Sequence, residues 1–135
     1  MSTYHLRIMT PEHEFFNGEV EGLIVTVPDG ELGIFAGHLP LVAPLVVGSI
    51  RLKIDGEWKE AFNSEGFIEV GHDDTVLFTQ ACEWPEDIDV VRAEEALRRA
   101  QEKIRQRRSI AEHKGSKISL ARAMARLRVA NHKLK

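Results

Sequence analysis

Alternation of apolar and polar side chains runs through the first 80 residues and predicts short β-strands. In residues 50–54 apolar and basic side chains alternate, which places the apolar ones on one face of a strand. In residues 23–27, Leu23, Val25 and Val27 share one face and alternate with Ile24 and Thr26. The pairs Asn17-Gly18 and Asp55-Gly56 are typical of tight hairpin turns. Because turn signals recur roughly every ten residues, the pattern predicts an all-β sandwich or barrel.

Residues 28–44 depart from this alternation, and we predict that they form one long loop rich in glycine and proline. The loop still carries apolar side chains, which we expect either to plug one end of the sandwich or to contact a partner. They are Leu32, Ile34, Phe35, Leu39 and Leu41. The glycines at 30, 33 and 37 fit neither G-x-G-x-x-G nor a Walker P-loop, so a glycine-rich phosphate cradle is excluded.

After Pro85 the apolar positions change to helical spacing. Apolar side chains separated by three and four positions predict an amphipathic helix with Asp87 or Asp89 as its N-cap. These side chains are Val90, Ala93, Leu97, Ala100 and Ile104. On its outer face we expect two ion pairs between residues four apart, Glu94 with Arg98 and Glu95 with Arg99.

A break over residues 109–115 separates this helix from a second one, for which Ser116 is the predicted N-cap. One apolar stripe of the second helix is predicted at Ile118, Ala121, Ala125 and Val129. A short connection between two amphipathic helices indicates an antiparallel hairpin. Its alanine-rich seam buries little surface, so the hairpin is predicted to be held weakly and to be able to open.

The charge of the chain is unevenly distributed. Residues 1–84 hold 4 Lys/Arg against 14 Asp/Glu, whereas residues 85–135 hold 14 against 7. An acidic platform joined to a basic arm predicts an arm that can fold back onto its own body. Cys82 is the single cysteine, which excludes a disulfide within the chain and favours a reducing compartment. With neither a signal pattern nor a membrane-spanning run, membrane association is expected only through partners.

Motifs for catalysis and metal binding are absent from the sequence, which has no G-x-S-x-G, H-E-x-x-H or C-x-x-C. His72-Asp73-Asp74 is interpreted as a polar hairpin tip rather than a metal site. Arg122 and Arg126 lie one helical turn apart, and a folded hairpin brings them toward Arg92. Three arginines can hold a polyphosphate, but spacing alone favours a solvated basic face or ion pairs to Glu94 and Glu95.

Several stretches together resemble the epsilon subunit of F-type ATP synthases over essentially the whole chain. The residues that carry the resemblance are Pro28-Asp29-Gly30-Glu31-Leu32-Gly33-Ile34, Gly37-His38-Leu39-Pro40-Leu41 and Gly66-Phe67-Ile68-Glu69-Val70. The resemblance implies an α+β protein with a ten-stranded β-sandwich in residues 1–84 and an antiparallel two-helix hairpin in residues 85–135. It further implies a non-catalytic rotor subunit whose sandwich binds the gamma subunit and rests on the c-subunit ring. Glu31 and His38 belong to the loop that approaches the ring in such proteins.

Ile88-Asp89-Val90-Val91-Arg92-Ala93 matches the I/L-D-x-x-R-A motif of the bacterial epsilon subunits that bind ATP. This match implies that the hairpin folds onto the sandwich around a regulatory ATP, with the need for Mg²⁺ left open. The implied nucleotide-binding residues are Glu83, Ile88, Asp89, Arg92, Ala93, Arg122 and Arg126. When the hairpin opens, the second helix of such proteins reaches the catalytic alpha/beta hexamer and blocks hydrolysis. A proton-driven enzyme at the cytoplasmic face of a bacterial membrane is expected, although a plastid-encoded chain fits as well.

Two other functions stay open on the sequence alone. A stand-alone adaptor with a β-sandwich and a helical arm predicts no ATP binding and no association with ATPase subunits. A nucleic-acid binder needs aromatic side chains or a groove-reading helix beside its basic charge. The arm after Trp84 contains no aromatic residue, which disfavours nucleic acid as a ligand.

Overall fold

The computed structural model describes residues 2–106 and 110–132, which form ten β-strands, one 3₁₀ turn and two α-helices. The strands are β1 Tyr4–Met9, β2 Glu14–Val20, β3 Gly22–Val27, β4 Gly30–Phe35, β5 Leu41–Leu45, β6 Gly48–Ile54, β7 Glu57–Asn63, β8 Gly66–Val70, β9 Asp74–Thr79 and β10 Cys82–Glu83. The 3₁₀ turn is Pro85–Asp87, and the helices are α1 Val90–Gln106 and α2 Ile110–Asn131. The predicted ten-stranded sandwich followed by two helices is therefore confirmed.

The strands form two five-stranded sheets that face each other. One sheet has the order β2-β1-β9-β8-β5 and the other has the order β10-β7-β6-β3-β4. All neighbouring strands are antiparallel except β1 and β9, which are parallel. Inward side chains from both sheets fill the core, as alternating strands require. Its fully buried large members include Leu6, Ile8, Leu23, Ile34, Ile50, Leu52, Ile68 and Leu77.

The β6–β7 hairpin confirms the predicted Asp55-Gly56 turn. Both residues have positive φ angles, 51° at Asp55 and 79° at Gly56. Two successive left-handed residues match the twist of a two-residue hairpin, and Asp-Gly adopts them at low cost. The register that follows pairs Ile50 with Ala61 and Ser49 with Phe62. Ala61 therefore joins the core, while Phe62 faces outward.

The predicted turn at Asn17-Gly18 is wrong. These two residues lie inside β2, where Asn17 pairs with Arg7 of β1. The chain reverses earlier, at residues 10–13, where the Thr10 N–H donates to the His13 carbonyl at 3.0 Å. Because that turn already sets the β1–β2 pairing, the Asn-Gly pair continues the ladder and does not end it.

The prediction of one long loop over residues 28–44 is also wrong, because β4 and β5 lie within it. Each is an edge strand of its sheet, the position where glycine and proline are tolerated. The apolar side chains of this segment, expected either to plug the sandwich or to contact a partner, do not all lie in the same environment. Ile34 is buried in the core, whereas Phe35 and Leu39 are exposed.

The second helix begins earlier than predicted. Ser116 does not cap α2 but lies inside it, buried to 5 % exposure, and Ser109 falls outside the described residues. Gly115 is also helical, and a Cβ there would meet nothing within 4 Å, so close packing does not require glycine at this position. The predicted apolar stripe is half right. Ala125 and Val129 are buried, but Ile118 and Ala121 are exposed.

The hairpin packs across the outer face of the sheet that contains β7. A second apolar cluster, separate from the sandwich core, forms this contact from Phe62, Ile88, Ala125 and Val129. Val47, Ala81 and Ala130 pack around it. Within the described ranges, neither helix is long and apolar enough to cross a membrane.

Candidate functional site

A cleft of about 460 Å³ lies between the first turns of α1, the middle of α2 and the last strand of the sandwich. We refer to it as the arginine cleft. Its lining residues are Glu83, Asp87, Asp89, Arg92, Ala93, Ala96, Arg99, Ser119, Arg122, Ala123 and Arg126. Three separate elements therefore build one site, which exists only while the hairpin is folded onto the sandwich.

Asp89 organises the start of α1. Its Oδ1 accepts a hydrogen bond from the Arg92 backbone N–H at 3.0 Å, and its carbonyl accepts one from Ala93 at 3.0 Å. This geometry identifies Asp89, and not Asp87, as the N-cap, since a cap carboxylate satisfies an orphan N–H of the first turn. The cap fixes the backbone from which Arg92 extends. The Arg92 side chain is exposed and makes no salt bridge with any residue that the structure describes.

Arg126 is the most constrained of the arginines. Its Nε donates to Glu83 Oε1 at 2.8 Å and its Nη2 to Glu83 Oε2 at 3.4 Å, so two parallel bonds join α2 to β10. The guanidinium carbon also lies 4.5 Å from the centroid of the Phe62 ring. Fork geometry and an aromatic face are the contacts that arginine makes best. Arg126 is therefore held against the sandwich with its orientation defined.

Arg122 pairs with a carboxylate that the sequence did not indicate. Its Nη2 donates to Glu65 Oε1 in the turn between β7 and β8, while its Nε is buried without a hydrogen-bond partner in the described part of the chain. Burial alone raises the pKa of Glu65, but the hydrogen bond and charge of Arg122, with a backbone hydrogen bond, outweigh it and leave that pKa lowered. Glu65 is thus a carboxylate at neutral pH.

The structure brings six of the seven predicted nucleotide-binding residues into the arginine cleft. The exception is Ile88, which is 7 % exposed and packs in the second apolar cluster behind the cleft. It fixes the junction between the 3₁₀ turn and α1 against Phe62 and Val129. Arg99 and Ser119 are lining residues that the sequence did not indicate. Their helical spacing from Arg92 and Arg122 was visible in the sequence, but nothing marked it as functional.

The predicted ionic partners on α1 are wrong. Glu94 and Glu95 make no salt bridge with Arg98, Arg99 or any other described residue. Two of the four cleft arginines, Arg122 and Arg126, pair with sandwich carboxylates instead, because the hairpin folds onto the acidic platform. A third contact of this kind joins His132 Nδ1 to Glu60 Oε1 at 2.8 Å.

Glu31 and His38, predicted to face the ring, lie near opposite ends of the edge strand β4. Glu31 pairs with Arg51 of β6 and borders a small depression that includes Glu60 and His132. His38 follows the other end of β4, where its Nδ1 lies 2.7 Å from the Leu39 carbonyl oxygen. The structure therefore does not bring the two residues together into one site.

The chemistry of the arginine cleft suits a polyphosphate. Four arginines line it against three carboxylates, and guanidinium groups bind phosphate oxygens in a fork geometry. Its volume falls within the roughly 300–1,000 Å³ typical of small-molecule sites. The alanines at 93, 96 and 123 supply a small apolar wall. Residues 2–106 and 110–132 contain no cluster of three or more metal-ligating side chains.

Comparison with known families agrees with both parts of the fold. The family model described as "ATP synthase, Delta/Epsilon chain, beta-sandwich domain" matches residues 3–85. The model described as "ATP synthase, Delta/Epsilon chain, long alpha-helix domain" matches residues 86–131.

Individual relatives are similar over nearly their whole length. The ATP synthase epsilon chain of Caldanaerobacter subterraneus subsp. tengcongensis is 45 % identical over 96 % of this chain and 94 % of its own. That of Ruminiclostridium cellulolyticum is 42 % identical, with 98 % and 99 % covered. Among solved structures, a chain of the Euglena gracilis mitochondrial ATP synthase superposes with a TM-score of 0.83 at 23 % identity. That match covers 98 % of this chain and 83 % of the other, and at this identity it supports the fold alone.

Proposed function

Because the chain belongs to the family of ATP synthase epsilon chains, we propose that it is a non-catalytic subunit of the central stalk of a bacterial F-type, proton-translocating ATP synthase. The sandwich binds the gamma subunit and rests on the c-subunit ring. The hairpin regulates ATP hydrolysis, and a bound ATP stabilises its folded state. The chain lies at the cytoplasmic face of the membrane and associates with it only through the complex.

The observation that carries the regulatory part is the composition of the arginine cleft. Arg92 comes from α1, Arg122 and Arg126 come from α2, and Glu83 comes from the sandwich. A ligand that contacts all of them binds only the folded hairpin. Such a ligand stabilises the folded state by RT ln(1 + [L]/Kd), about 2.7 kcal/mol at a hundredfold excess over Kd. Tight binding and closure of the hairpin are therefore one equilibrium.

The predicted nucleotide-binding residues divide into those that bind phosphate and those that support the cleft. Arg92, Arg122 and Arg126 bind phosphate oxygens, and Asp89 keeps the first turn of α1 in place beneath Arg92. The adenine packs against Ala93, with Ile88 supporting that wall from behind. These contacts require no movement of the sandwich, since Glu83 and Phe62 already hold Arg126 in the cleft.

The contact between hairpin and sandwich is small enough to open. Its apolar part is one cluster of four buried side chains, two of which are Ala125 and Val129. Its two arginine–carboxylate pairs are partly exposed, and such pairs are worth about 0–1 kcal/mol each. A few kcal/mol from ATP is therefore comparable to the free energy that separates the folded from the open hairpin. In the open state, the basic α2 reaches the alpha/beta hexamer and inhibits hydrolysis.

Exposed apolar side chains on the sandwich support its proposed attachment to gamma and the ring. Phe35 and Leu39 are 51 % and 78 % exposed near His38, and Val42 is 72 % exposed on β5. Burial of these side chains against a partner would remove their apolar surface from water. Glu31 supplies a charged contact on the ring side in this assignment.

Calorimetric titration of ATP, with and without Mg²⁺, into the full chain tests the nucleotide site. Arg92→Ala and Arg126→Ala should each weaken binding at least about tenfold, because each loses a charged hydrogen-bond donor to phosphate. Arg98→Ala is the matched control, since Arg98 lies on α1 outside the arginine cleft. Unchanged binding in both cleft variants would refute the site. A wild-type chain that binds no ATP would favour the adaptor function instead.

The inhibitory role needs the assembled enzyme. A chain ending after residue 87 keeps the sandwich and lacks the hairpin, so the complex that contains it should hydrolyse ATP faster than the complex with the full chain. Equal rates, with the truncated chain shown to be present in the complex, would refute inhibition by the hairpin.

A further inference from the structure

Glu65 is held in a turn whose backbone has little freedom. On one side, Ser64 exchanges hydrogen bonds with Ala81, whose N–H donates to Ser64 Oγ at 2.6 Å and whose carbonyl accepts from the Ser64 N–H at 2.9 Å. On the other side, a Cβ on Gly66 would lie 1.8 Å from the Phe78 carbonyl oxygen, so the chain passes β9 too closely for any other residue. The sandwich therefore fixes the backbone from which the Glu65 side chain extends toward Arg122.

Arg122 connects this carboxylate to the arginine cleft. Its guanidinium lines the cleft and also donates to Glu65, and the two side chains are 37 % and 41 % exposed. Arg122 moves with the hairpin, whereas Glu65 stays with the sandwich. Their contact therefore exists only in the folded state and lies beside the place where phosphate binds.

Glu65 also changes the charge that a ligand meets. The cleft lining has one more arginine than carboxylates, and the adjacent Glu65 cancels that excess. A carboxylate beside a phosphate site opposes the binding of an anion, as any like charge does. At the same time it attracts Arg122 and favours a folded hairpin. The attraction of Arg122 favours closure of the hairpin, whereas the repulsion of the anion weakens its binding to the closed cleft.

We propose that Glu65 is a positioning residue that sets the ATP concentration at which the hairpin closes, by holding Arg122 while lowering the affinity of the closed cleft for polyphosphate. This inference rests on the proposed function and assigns to that site a residue outside the predicted set.

The variant Glu65→Gln separates charge from shape, because the amide keeps an acceptor oxygen for Arg122 and loses the negative charge. Glu69→Gln is the matched control, since Glu69 is an exposed carboxylate on β8 of the other sheet. Glu65→Asp keeps the charge and shortens the side chain. All three are compared as full chains with wild type.

Two measurements are needed for each variant. Calorimetry gives the apparent ATP affinity. Fluorescent labels on cysteines introduced at Asp73 and Gln106, both exposed, give the fraction of folded hairpin without nucleotide. The native Cys82 does not compete for label, because burial raises the pKa of its thiol to about 12. Dividing the apparent association constant by the folded fraction gives the affinity of the closed state.

We expect Glu65→Gln to raise the closed-state affinity for ATP about threefold to tenfold, a gain that shrinks as salt increases. Glu65→Asp should stay nearer to wild type, and Glu69→Gln should change the affinity less than about twofold. An unchanged or weaker affinity in Glu65→Gln, with wild type binding ATP normally, would overturn the role of Glu65 and leave the proposed function intact. A wild-type chain that binds no ATP would overturn the proposed function, and this inference with it.

Discussion

The sandwich core and the hairpin contact are built from opposite kinds of interaction. Between the sheets, large aliphatic side chains such as Leu6, Ile8 and Leu77 have no solvent exposure. Between hairpin and sandwich, the contact consists of a cluster of four buried apolar side chains and of ion pairs that stay partly exposed. Two of the four apolar side chains, Ala125 and Val129, are small. The first arrangement fixes a single structure. We propose that the second is weak enough for a bound ligand to determine whether the hairpin is folded or open.

The largest effect should come from a cavity in the sandwich. Leu77→Ala removes a fully buried side chain from β9 and should lower the free energy of unfolding by about 3 kcal/mol. Denaturant titration followed by circular dichroism measures it. Val42→Ala, on an exposed side chain, should change it by less than about 0.5 kcal/mol. Equal effects of the two substitutions would mean that the core is not where the stability lies.

A substitution in the second apolar cluster should weaken the hairpin contact without changing the stability of the sandwich. Val129→Ala removes about two buried methylene equivalents, worth about 1.5 kcal/mol, from the face of α2 that packs near Phe62. We expect the distance between labels at positions 73 and 106 to show a smaller fraction of folded hairpin. The unfolding midpoint of the sandwich should stay unchanged. Met124→Ala, on an exposed position of the same helix, should leave both unchanged. A loss of sandwich stability in Val129→Ala would contradict the independence of the two regions.

The smallest effect is a pH dependence confined to the hairpin. Because the pKa of Glu65 is lowered in the folded state, its contribution is present at neutral pH and is lost as pH falls below the ordinary value of 4.5 and through the folded pKa. The folded fraction should therefore decrease in acid in wild type and decrease less in Glu65→Gln. Parallel pH curves for the two chains would exclude this contribution.

The sequence predicted the features that depend on local patterns and missed those that depend on contacts between distant residues. Alternation located β3 and β6, and the Asp55-Gly56 turn followed from local chemistry. Edge strands β4 and β5 escaped prediction, because glycine and proline there indicate a loop unless the neighbouring strand is known. The pair Glu65–Arg122 joins residues 57 positions apart, so no local spacing could reveal it. The motif at residues 88–93 indicated Arg92, and the family resemblance indicated Arg122, Arg126 and the Arg126 partner Glu83 by position. Neither indicated Glu65, the partner of Arg122.

In the proposed function, ATP binding and closure of the hairpin are one event. It is tested most directly by titrating ATP into the full chain carrying labels at positions 73 and 106, and following the distribution of their distances. We predict that the distribution converges on the single distance of the folded state, with a midpoint equal to the calorimetric Kd, and that Arg126→Ala abolishes the change. If the chain without nucleotide contains open hairpins and ATP binds without changing the distance distribution, then binding and closure are separate events.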